Sequence, residues 1–345
     1  MKTSVSRRHF IGKAAATAGL TALGSETFFG NATALNRPMQ ERLPREVWIA
    51  TVAQSGLRGK TPDDLVRTVL NVCKRSIVFR PDVLCLPEVF MTTWTDLKTT
   101  LEERADIHER LLKEFVSFAR DNQVYIICPM LTRENGKIYN SAVILDRQGA
   151  RLGVYHKMHL PIDELEEGIT PGSLHPSVFK TDFGTIGIQI CYDCNWFDGW
   201  QALKQQGAEI VFWPSAFHGG QILCAKAWEN KYAVVTSTWE ASRIIDISGE
   251  VIAKTDIWYK NIVCAPLNLE KVMVNTWPNV RRCEEIRAKY GRKVKITVFD
   301  AENWAIIESL APDLRVNDIL KEFNILSFDQ LSQKTDAISE KRRLT

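Results

Sequence analysis

Apolar runs alternate with amphipathic segments through most of the chain. Six runs are short, nearly all apolar and rich in β-branched residues, which is typical of strands buried on both faces of a sheet. They lie at residues 46–54, 83–88, 124–131, 183–191, 208–215 and 235–239. Between them, apolar residues recur at helical spacing over about 61–77, 101–123, 200–207 and 221–234. This alternation predicts helices and buried strands in turn along the chain.

Two strand pairs interrupt that rhythm. Residues 138–146 and 150–157 flank a turn at 147–149, and residues 243–247 and 251–254 flank a Ser-Gly turn at 248–249. Each pair predicts a β-hairpin. Helices, buried strands and inserted hairpins together predict an α/β or α+β sandwich, with two sheets packed together and helices outside.

The chain shows no repeat and no Gly/Ser linker before about Leu267. We therefore predict that residues 35–267 form one domain. Residues 268–345 lose the strand–helix rhythm and carry several helical stretches. We interpret them as a C-terminal extension that packs on the domain or on a neighbouring subunit.

The first 34 residues are predicted to be a signal peptide. Residues 6–13 (SRRHFIGK) resemble a twin-arginine export motif, a weakly apolar stretch follows, and Ala32-Thr33-Ala34 supplies a cleavage site. We expect a mature start near Leu35 and a periplasmic or extracellular protein. The twin-arginine machinery, its partner during transit, carries proteins that are already folded.

Composition narrows the possible partners. The chain has 345 residues, of which 45% are apolar and 25% charged, as in an ordinary soluble protein. No apolar run after residue 34 is long enough to cross a bilayer, so no membrane contact is expected after signal removal. The mature chain would have as many acidic as basic side chains, which argues against a nucleic-acid partner.

Cys191 ends the apolar run at 183–191 and precedes a helix-like segment. A thiol at a strand–helix break is well placed to act as a nucleophile, because the backbone N–H groups there can lower its pKa and bind an oxyanion. The alternative is a buried structural cysteine. Cys191 and Cys194 also form a C-x-x-C pair, which admits a redox function or a regulatory disulfide.

Two charged residues also follow predicted strands. Glu88 ends the run at 83–88 and would lie at the same sheet edge as Cys191 if the strands are parallel. Lys157 ends the second strand of the first hairpin. Taken separately, each has an ordinary interpretation, Glu88 as a surface cap and Lys157 as an edge-strand lysine.

Together, these residues resemble the nitrilase, or carbon–nitrogen hydrolase, superfamily and its amidase and carbamoylase branches. The resemblance covers about residues 48–267 and four motifs carry it, in the order and spacing of the family. The motifs are 86–90 (LPEVF), 155–160 (YHKMHL), 187–193 (GIQICYD) and 207–215 (GAEIVFWPS). The resemblance implies a four-layer αββα sandwich.

The resemblance also implies a Glu-Lys-Cys triad that cleaves an amide or N-carbamoyl bond of a small molecule. Cys191 would be the nucleophile and form a thioester, and Glu88 would be the general base. Lys157 and the backbone N–H of Tyr192 would stabilise the oxyanion. A second glutamate would position substrate and lysine. We predict Glu167 for this role, with Glu164 and Glu166 as alternatives.

The segment after the nucleophile reads Cys-Tyr-Asp-Cys-Asn-Trp-Phe, which is amidase-like and lacks the arginines with which carbamoylases hold a carboxylate. A neutral or aromatic substrate is therefore expected. Four aromatic residues are candidates for the substrate pocket, with core packing as the alternative: Phe90, Trp94, Trp213 and Phe217.

No metal or organic cofactor is expected, because side chains and water supply the implied chemistry. The resemblance further implies a homodimer or larger homo-oligomer. Alternatives that keep the same fold are nitrile hydrolysis, acyl transfer to an amine, and a non-catalytic binding module.

Overall fold

The computed structural model describes residues 42–93, 95–96, 98–258 and 260–344. The predicted signal peptide at residues 1–34 and the pocket candidate Trp94 lie outside this part of the chain. Among the described residues, none of the helices combines the length and the apolar character that crossing a membrane would need.

Fifteen strands and eight α-helices follow one another along the described chain. The strands are β1 Glu46–Val52, β2 Val83–Cys85, β3 Tyr125–Glu134, β4 Lys137–Leu145, β5 Arg151–His156, β6 Phe179–Lys180, β7 Thr185–Ile188, β8 Ile210–Pro214, β9 Ala233–Ser237, β10 Arg243–Ile245, β11 Val251–Lys254, β12 Ile262–Asn268, β13 Lys271–Asn275, β14 Val294–Phe299 and β15 Trp304–Ser309. The helices are α1 Pro62–Lys74, α2 Leu101–Asn122, α3 Ile162–Glu166, α4 Asp198–Gln205, α5 Gly220–Asn230, α6 Val280–Tyr290, α7 Val316–Glu322 and α8 Phe328–Arg343.

Two six-stranded sheets form the centre of the fold. The first sheet has the order β12-β1-β2-β3-β4-β5, and the second has the order β11-β10-β9-β8-β7-β6. The central strands of each sheet are parallel, β1 with β2 and β3, and β7 with β8 and β9, while the outer strands are antiparallel. Both predicted hairpins are present, as β4–β5 and β10–β11.

Three layers of buried side chains hold the sandwich together. Between the sheets, Ile127 of the first sheet and Phe212 of the second belong to one apolar cluster. Leu65 of α1 and Phe115 of α2 belong to a second cluster on the outer face of the first sheet. A third cluster joins α4 and α5 to the second sheet. Helix, sheet, sheet and helix thus stack as four layers, which confirms the predicted αββα sandwich.

Helix boundaries follow local capping chemistry. The Thr61 side chain accepts the backbone N–H of Asp64 at the start of α1, and Thr100 and Glu103 form a reciprocal capping box at the start of α2. Helix α5 ends at Asn230 because Lys231 has a left-handed backbone, with φ of 60°. The predicted helix at 221–234 was therefore too long, and its last residues begin β9.

Residues after β12 form a third sheet of order β13-β15-β14, covered by α6 and α7 with an apolar cluster of its own. This extension contacts the sandwich of the same chain. Lys271 pairs with Asp246 at 3.0 Å, and the ring of Trp228 on α5 lies edge-on to Trp304, with centroids 6.3 Å apart. The domain boundary at Leu267 stays a prediction.

Candidate active site

Three predicted site residues lie just beyond the carboxyl ends of strands. Glu88 follows β2, Lys157 follows β5 directly and Cys191 follows β7. In parallel sheets, the side chains beyond these ends converge on one edge. The structure brings all three together. The Lys157 ammonium donates to Glu88 Oε1 at 2.9 Å, and the Cys191 thiol lies near both of these charged groups, which shift its pKa in opposite directions.

Lys157 is enclosed completely, with a side chain 0% exposed. Its ammonium also donates to Glu164 Oε1 at 2.6 Å. Burial works against the charged form of Lys157, but the acidic groups around it, Glu88 foremost and also Glu164, outweigh burial and raise the pKa of the ammonium. The charged form of Lys157 is therefore favoured.

Three hydrogen-bond donors contact the carboxylate of Glu88. Oε1 accepts from Lys157 and, at 2.8 Å, from the side-chain amide of Asn140 on β4. Oε2 accepts from the backbone N–H of Ala216, in the loop after β8, at 2.8 Å. These contacts orient the carboxylate within a pocket that leaves Glu88 only 7% exposed.

Cys191 has a left-handed backbone, with φ of 46°, which is uncommon for a residue other than glycine. Trp213 steadies the turn by donating its indole N–H to the Cys191 carbonyl at 3.0 Å. The chain then enters a 3₁₀ turn, Cys191–Asn195, and α4 begins only at Asp198. The predicted direct strand-to-helix break is therefore wrong in detail.

The sequence also predicted that backbone N–H groups could lower the pKa of the Cys191 thiol, whereas the structure indicates the opposite shift. Burial raises the pKa above the usual cysteine range, and the negative charge of Glu88 raises it further. The Lys157 ammonium and a hydrogen bond from Ser215 oppose the shift without reversing it. Cys191 is thus a resting thiol that needs a base.

The buried carboxylate of Asp193 connects the turn that begins at Cys191 to the segment that follows Lys157. Asp193 accepts from the Ile190 backbone N–H at 2.8 Å, the Tyr155 hydroxyl at 2.8 Å and the His159 backbone N–H at 2.8 Å. Asp193 itself is 0% exposed. Four consecutive positions around Cys191 are therefore fixed relative to the segment that carries Lys157.

Of the three glutamates considered for the second acidic position, Glu164 contacts Lys157, and the predicted Glu167 does not. Glu164 lies on the short helix α3 and reaches Lys157, whereas Glu167 caps that helix and pairs with Arg104 at the surface. Glu166 is exposed. The spacing could not separate these candidates, because which one faces Lys157 depends on how α3 sits on the sheet.

The pocket candidates fall into different environments. Phe90 is fully buried and packs edge-on against Phe115, with ring centroids 5.5 Å apart, which favours the core-packing alternative for this residue. Trp213 is buried too, but it touches the Cys191 carbonyl. Phe217 is 39% exposed and lies edge-on to Trp213. Tyr192, whose backbone N–H was predicted to bind the oxyanion, follows Cys191 at the start of the 3₁₀ turn.

Cys191 and Cys194 lie in different layers, and all eight cysteines are free thiols. Cys191 packs against the cluster between the sheets, whereas Cys194 is buried in the outer cluster with Trp200. Because the two thiols lie in separate layers, the structure does not favour a redox function or a regulatory disulfide for the C-x-x-C pair.

Sequence reasoning gave no role to Asn140 or Asp193. Asp193 stands within the recognised 187–193 motif, two residues after the thiol, and that position was its only signal. Asn140 was hidden in a hairpin strand, where a polar residue ordinarily faces solvent. Only the packed sheets show that its amide points at two carboxylates.

The four-layer sandwich brings a glutamate, a lysine and a cysteine together at one sheet edge, and comparison with known proteins identifies the family. The profile of the carbon–nitrogen hydrolase family matches residues 50–274. The chain belongs to this family, as the motifs predicted.

Curated relatives are moderately similar. The chain is 30% identical over 202 residues to a human deaminated glutathione amidase, covering 49% of this chain and 62% of the relative. It is 37% identical over 106 residues to an N-carbamoylputrescine amidase from Oryza sativa subsp. japonica, covering 30% of this chain and 35% of the relative. Each match thus spans less than two thirds of the relative.

Solved structures share the fold. A carbon–nitrogen hydrolase from Helicobacter pylori G27 aligns with a TM-score of 0.58 at 19% identity, covering 71% of this chain and 93% of that one. An amidase from Nesterenkonia sp. aligns with a TM-score of 0.58 at 18% identity, covering 64% of this chain and 90% of that one.

Proposed function

We propose that the protein hydrolyses the carbon–nitrogen bond of a small linear amide or N-carbamoyl compound through a thioester on Cys191. The observation that carries the proposal is the contact set of Glu88. Its carboxylate accepts a hydrogen bond from the buried Lys157 ammonium and lies beside the Cys191 thiol, whose pKa it raises. A base beside the thiol and a fixed cation beside both are what acyl transfer to sulfur requires.

In the first half-reaction, Glu88 takes the thiol proton as sulfur attacks the carbonyl carbon. The carbonyl oxygen becomes an oxyanion, which Lys157 and the backbone N–H of Tyr192 stabilise. The carbon–nitrogen bond then breaks, the nitrogen takes the proton from Glu88, and ammonia or an amine leaves. Because burial keeps the resting thiol protonated, proton transfer accompanies the attack.

In the second half-reaction, Glu88 takes a proton from water as the water oxygen attacks the thioester carbon. The carbon–sulfur bond breaks, and the thiolate recovers a proton from Glu88. For an N-carbamoyl substrate, the released acid is carbamic acid, which decomposes to carbon dioxide and ammonia. Each cycle restores the starting protonation states, so the proposal needs no metal and no organic cofactor.

Glu164 would hold Lys157 in place through both steps. Its own pKa is raised, by burial first and by the charge of Glu88 next, with Lys157 opposing the shift. Two carboxylates around one ammonium leave the cluster with excess negative charge when both are ionised.

The substrate class rests on the names of the relatives, among them deaminated glutathione amidases, N-carbamoylputrescine amidases and an omega-amidase. Nitrile hydrolysis and acyl transfer to an amine use the same three residues and remain alternatives. A non-catalytic binding module would not require the Glu88 contact to the thiol, which is why we favour an enzyme.

Ammonia release across aliphatic amides, aromatic amides, N-carbamoyl compounds and nitriles would test the proposal. We expect one of the first three classes to be hydrolysed, with turnover lost in Cys191→Ala. Cys224→Ala is a matched control, because Cys224 is also a partly exposed free thiol and lies outside the site. Equal activity in Cys191→Ala would refute the proposed chemistry.

We also propose export by the twin-arginine route, followed by assembly as a homo-oligomer. The support is the SRRHFIGK sequence at residues 6–13 and the family resemblance. Replacing Arg7 and Arg8 by lysine should retain the protein in the cytoplasm of a host with that pathway. Light scattering of the mature chain would measure the subunit number, and a monomer would contradict the assembly.

A further inference from the structure

Asn140 faces two carboxylates from the middle of β4. Its amide nitrogen Nδ2 donates to Glu88 Oε1 at 2.8 Å and to Glu164 Oε2 at 3.2 Å. The residue is 2% exposed, so water does not compete for these contacts. One amide therefore links both acids that surround the Lys157 ammonium.

The orientation of this amide is fixed by charge. Its oxygen, Oδ1, is buried and has no hydrogen-bond partner among the described residues. Turning the amide over would place Oδ1 against both carboxylates, which would repel it. A buried acceptor without a donor destabilises a fold. Asn140 is therefore poorly explained as a stabilising core residue, and its contacts with the acids are its distinguishing feature.

The hydrogen bonds to Glu88 leave one position open. Each carboxylate oxygen has two acceptor sites. On Oε1, Lys157 and Asn140 occupy both sites, at 2.9 and 2.8 Å. On Oε2, the Ala216 backbone N–H occupies one site, at 2.8 Å. The remaining site, on Oε2, is the one available to the proton of the Cys191 thiol.

We propose that Asn140 is a positioning residue that, together with Lys157, saturates Oε1 of Glu88 and thereby directs the Cys191 proton to Oε2. The inference rests on the proposed thiol chemistry and adds the atom that carries the proton. It also gives Asn140 a second effect, because a hydrogen bond donated to a carboxylate stabilises the ionised form of that carboxylate.

The charged and titratable groups that face Glu88 come from three elements. Lys157 follows β5, Glu164 lies on α3 and Cys191 follows β7. Asn140 on β4 and the backbone of Ala216 add neutral donors. Removing Asn140 leaves the three titratable groups in place, so a change in the pH profile reports the lost amide.

Two substitutions separate positioning from packing. Asn140→Leu keeps a side chain of similar size and removes the unpaired oxygen Oδ1. It also removes the Nδ2 hydrogen bonds to Glu88 and Glu164. Asn140→Asp keeps the shape but adds a third acid beside Glu88 and Glu164. Ser141→Ala is the matched control, since Ser141 is the next residue on β4, is equally buried and hydrogen-bonds Thr132 and His156 instead.

The readout is the rate of Cys191 alkylation by iodoacetamide between pH 4 and 9, followed by peptide mass spectrometry, with Glu88→Gln as reference. On the acid side of this profile the alkylation rate falls, and the acid midpoint is the pH at which half of the rate is lost. We expect this midpoint to rise by about one pH unit in Asn140→Leu, the scale of one lost charge-assisted hydrogen bond. It should rise at least as far in Asn140→Asp and stay unchanged in Ser141→Ala. Amide hydrolysis should show the same shift in kcat/KM.

An unchanged midpoint in Asn140→Leu would overturn the inference, as would an equal shift in Ser141→Ala. If Asn140→Leu does not fold, the midpoint of Asn140→Asp decides in the same way. If alkylation behaves as expected but no amide is hydrolysed, the proposed function fails and the inference about Asn140 stands. A wild-type alkylation profile that does not depend on Glu88 overturns both.

Discussion

Cys191 combines a strained backbone with a thiol that lies near one acid, Glu88, and one ammonium, Lys157. Burial and Glu88 together raise the pKa of this thiol, which favours its neutral form. A thiol of this kind reacts slowly with oxidants and alkylating agents unless a neighbouring base such as Glu88 takes its proton. Reactivity then depends on substrate arriving while Glu88 is ionised.

The first prediction concerns this thiol. The difference in absorbance at 240 nm between the wild type and Cys191→Ala should show no thiolate between pH 7 and 9. The folded pKa lies above the ordinary cysteine value, so ionisation is displaced to more alkaline pH. A thiolate step near pH 7 would contradict the assigned protonation state.

The second prediction separates the two glutamates near α3. Glu164→Gln removes an anionic partner of the buried Lys157 and should lower kcat/KM by roughly 10- to 100-fold, the scale of a charge-assisted hydrogen bond. Glu167→Gln breaks only a surface pair with Arg104 and should stay within about threefold of wild type. Steady-state kinetics on the best amide would measure both, and a reversed order would restore Glu167 as the site residue.

At the scale of elements, the sequence predicted what depends on local pattern. The central strands and the two hairpins follow from apolar periodicity, and α1 and α2 begin at threonine caps that can be seen in the sequence. The sequence did not predict the features that depend on tertiary contacts. The 3₁₀ turn after Cys191 depends on contacts with Asp193 and Trp213, and the contact of Glu164 with Lys157 depends on how α3 packs on the sheet.

The C-terminal helix α8 begins in an aromatic contact with the sandwich. Phe328 packs on Trp304 with ring centroids 4.2 Å apart, and Trp304 in turn packs on Trp228 of α5. The Lys231 ammonium lies within 5.0 to 5.2 Å of the centroids of these three rings. Cation and rings together join α8 and β15 to α5.

The third prediction tests this junction. Trp304→Ala should accelerate hydrogen exchange across α8 by at least about tenfold, because the helix loses its main apolar partner at its first residue. Trp258→Ala is the control, since that indole is 82% exposed. Equal exchange in the wild type and Trp304→Ala would mean that other contacts hold α8.

At the scale of the whole molecule, burial decides the fate of the cysteines. Five of the eight are buried, and the C-x-x-C partners lie in separate layers. The C-x-x-C spacing and the export motif admitted a disulfide between Cys191 and Cys194, but the arrangement of layers around the second sheet was needed to see why this pair is kept apart.

The fourth prediction is a thiol count. Mature protein purified without reductant and denatured in guanidinium should titrate as eight thiols, because each is free in the fold. A Cys191→Ala variant should titrate as seven. A wild-type count of six, together with a mass two units lower for the peptide that spans 191–194, would establish the regulatory disulfide instead.

Asp193 has one further consequence. The same carboxylate anchors the backbone before Cys191 and the backbone after Lys157. Any displacement of that carboxylate therefore carries sulfur and ammonium in the same direction, and their separation survives small movements of the loops around them. The Cys191 thiol and the Lys157 ammonium are therefore expected to move as one unit.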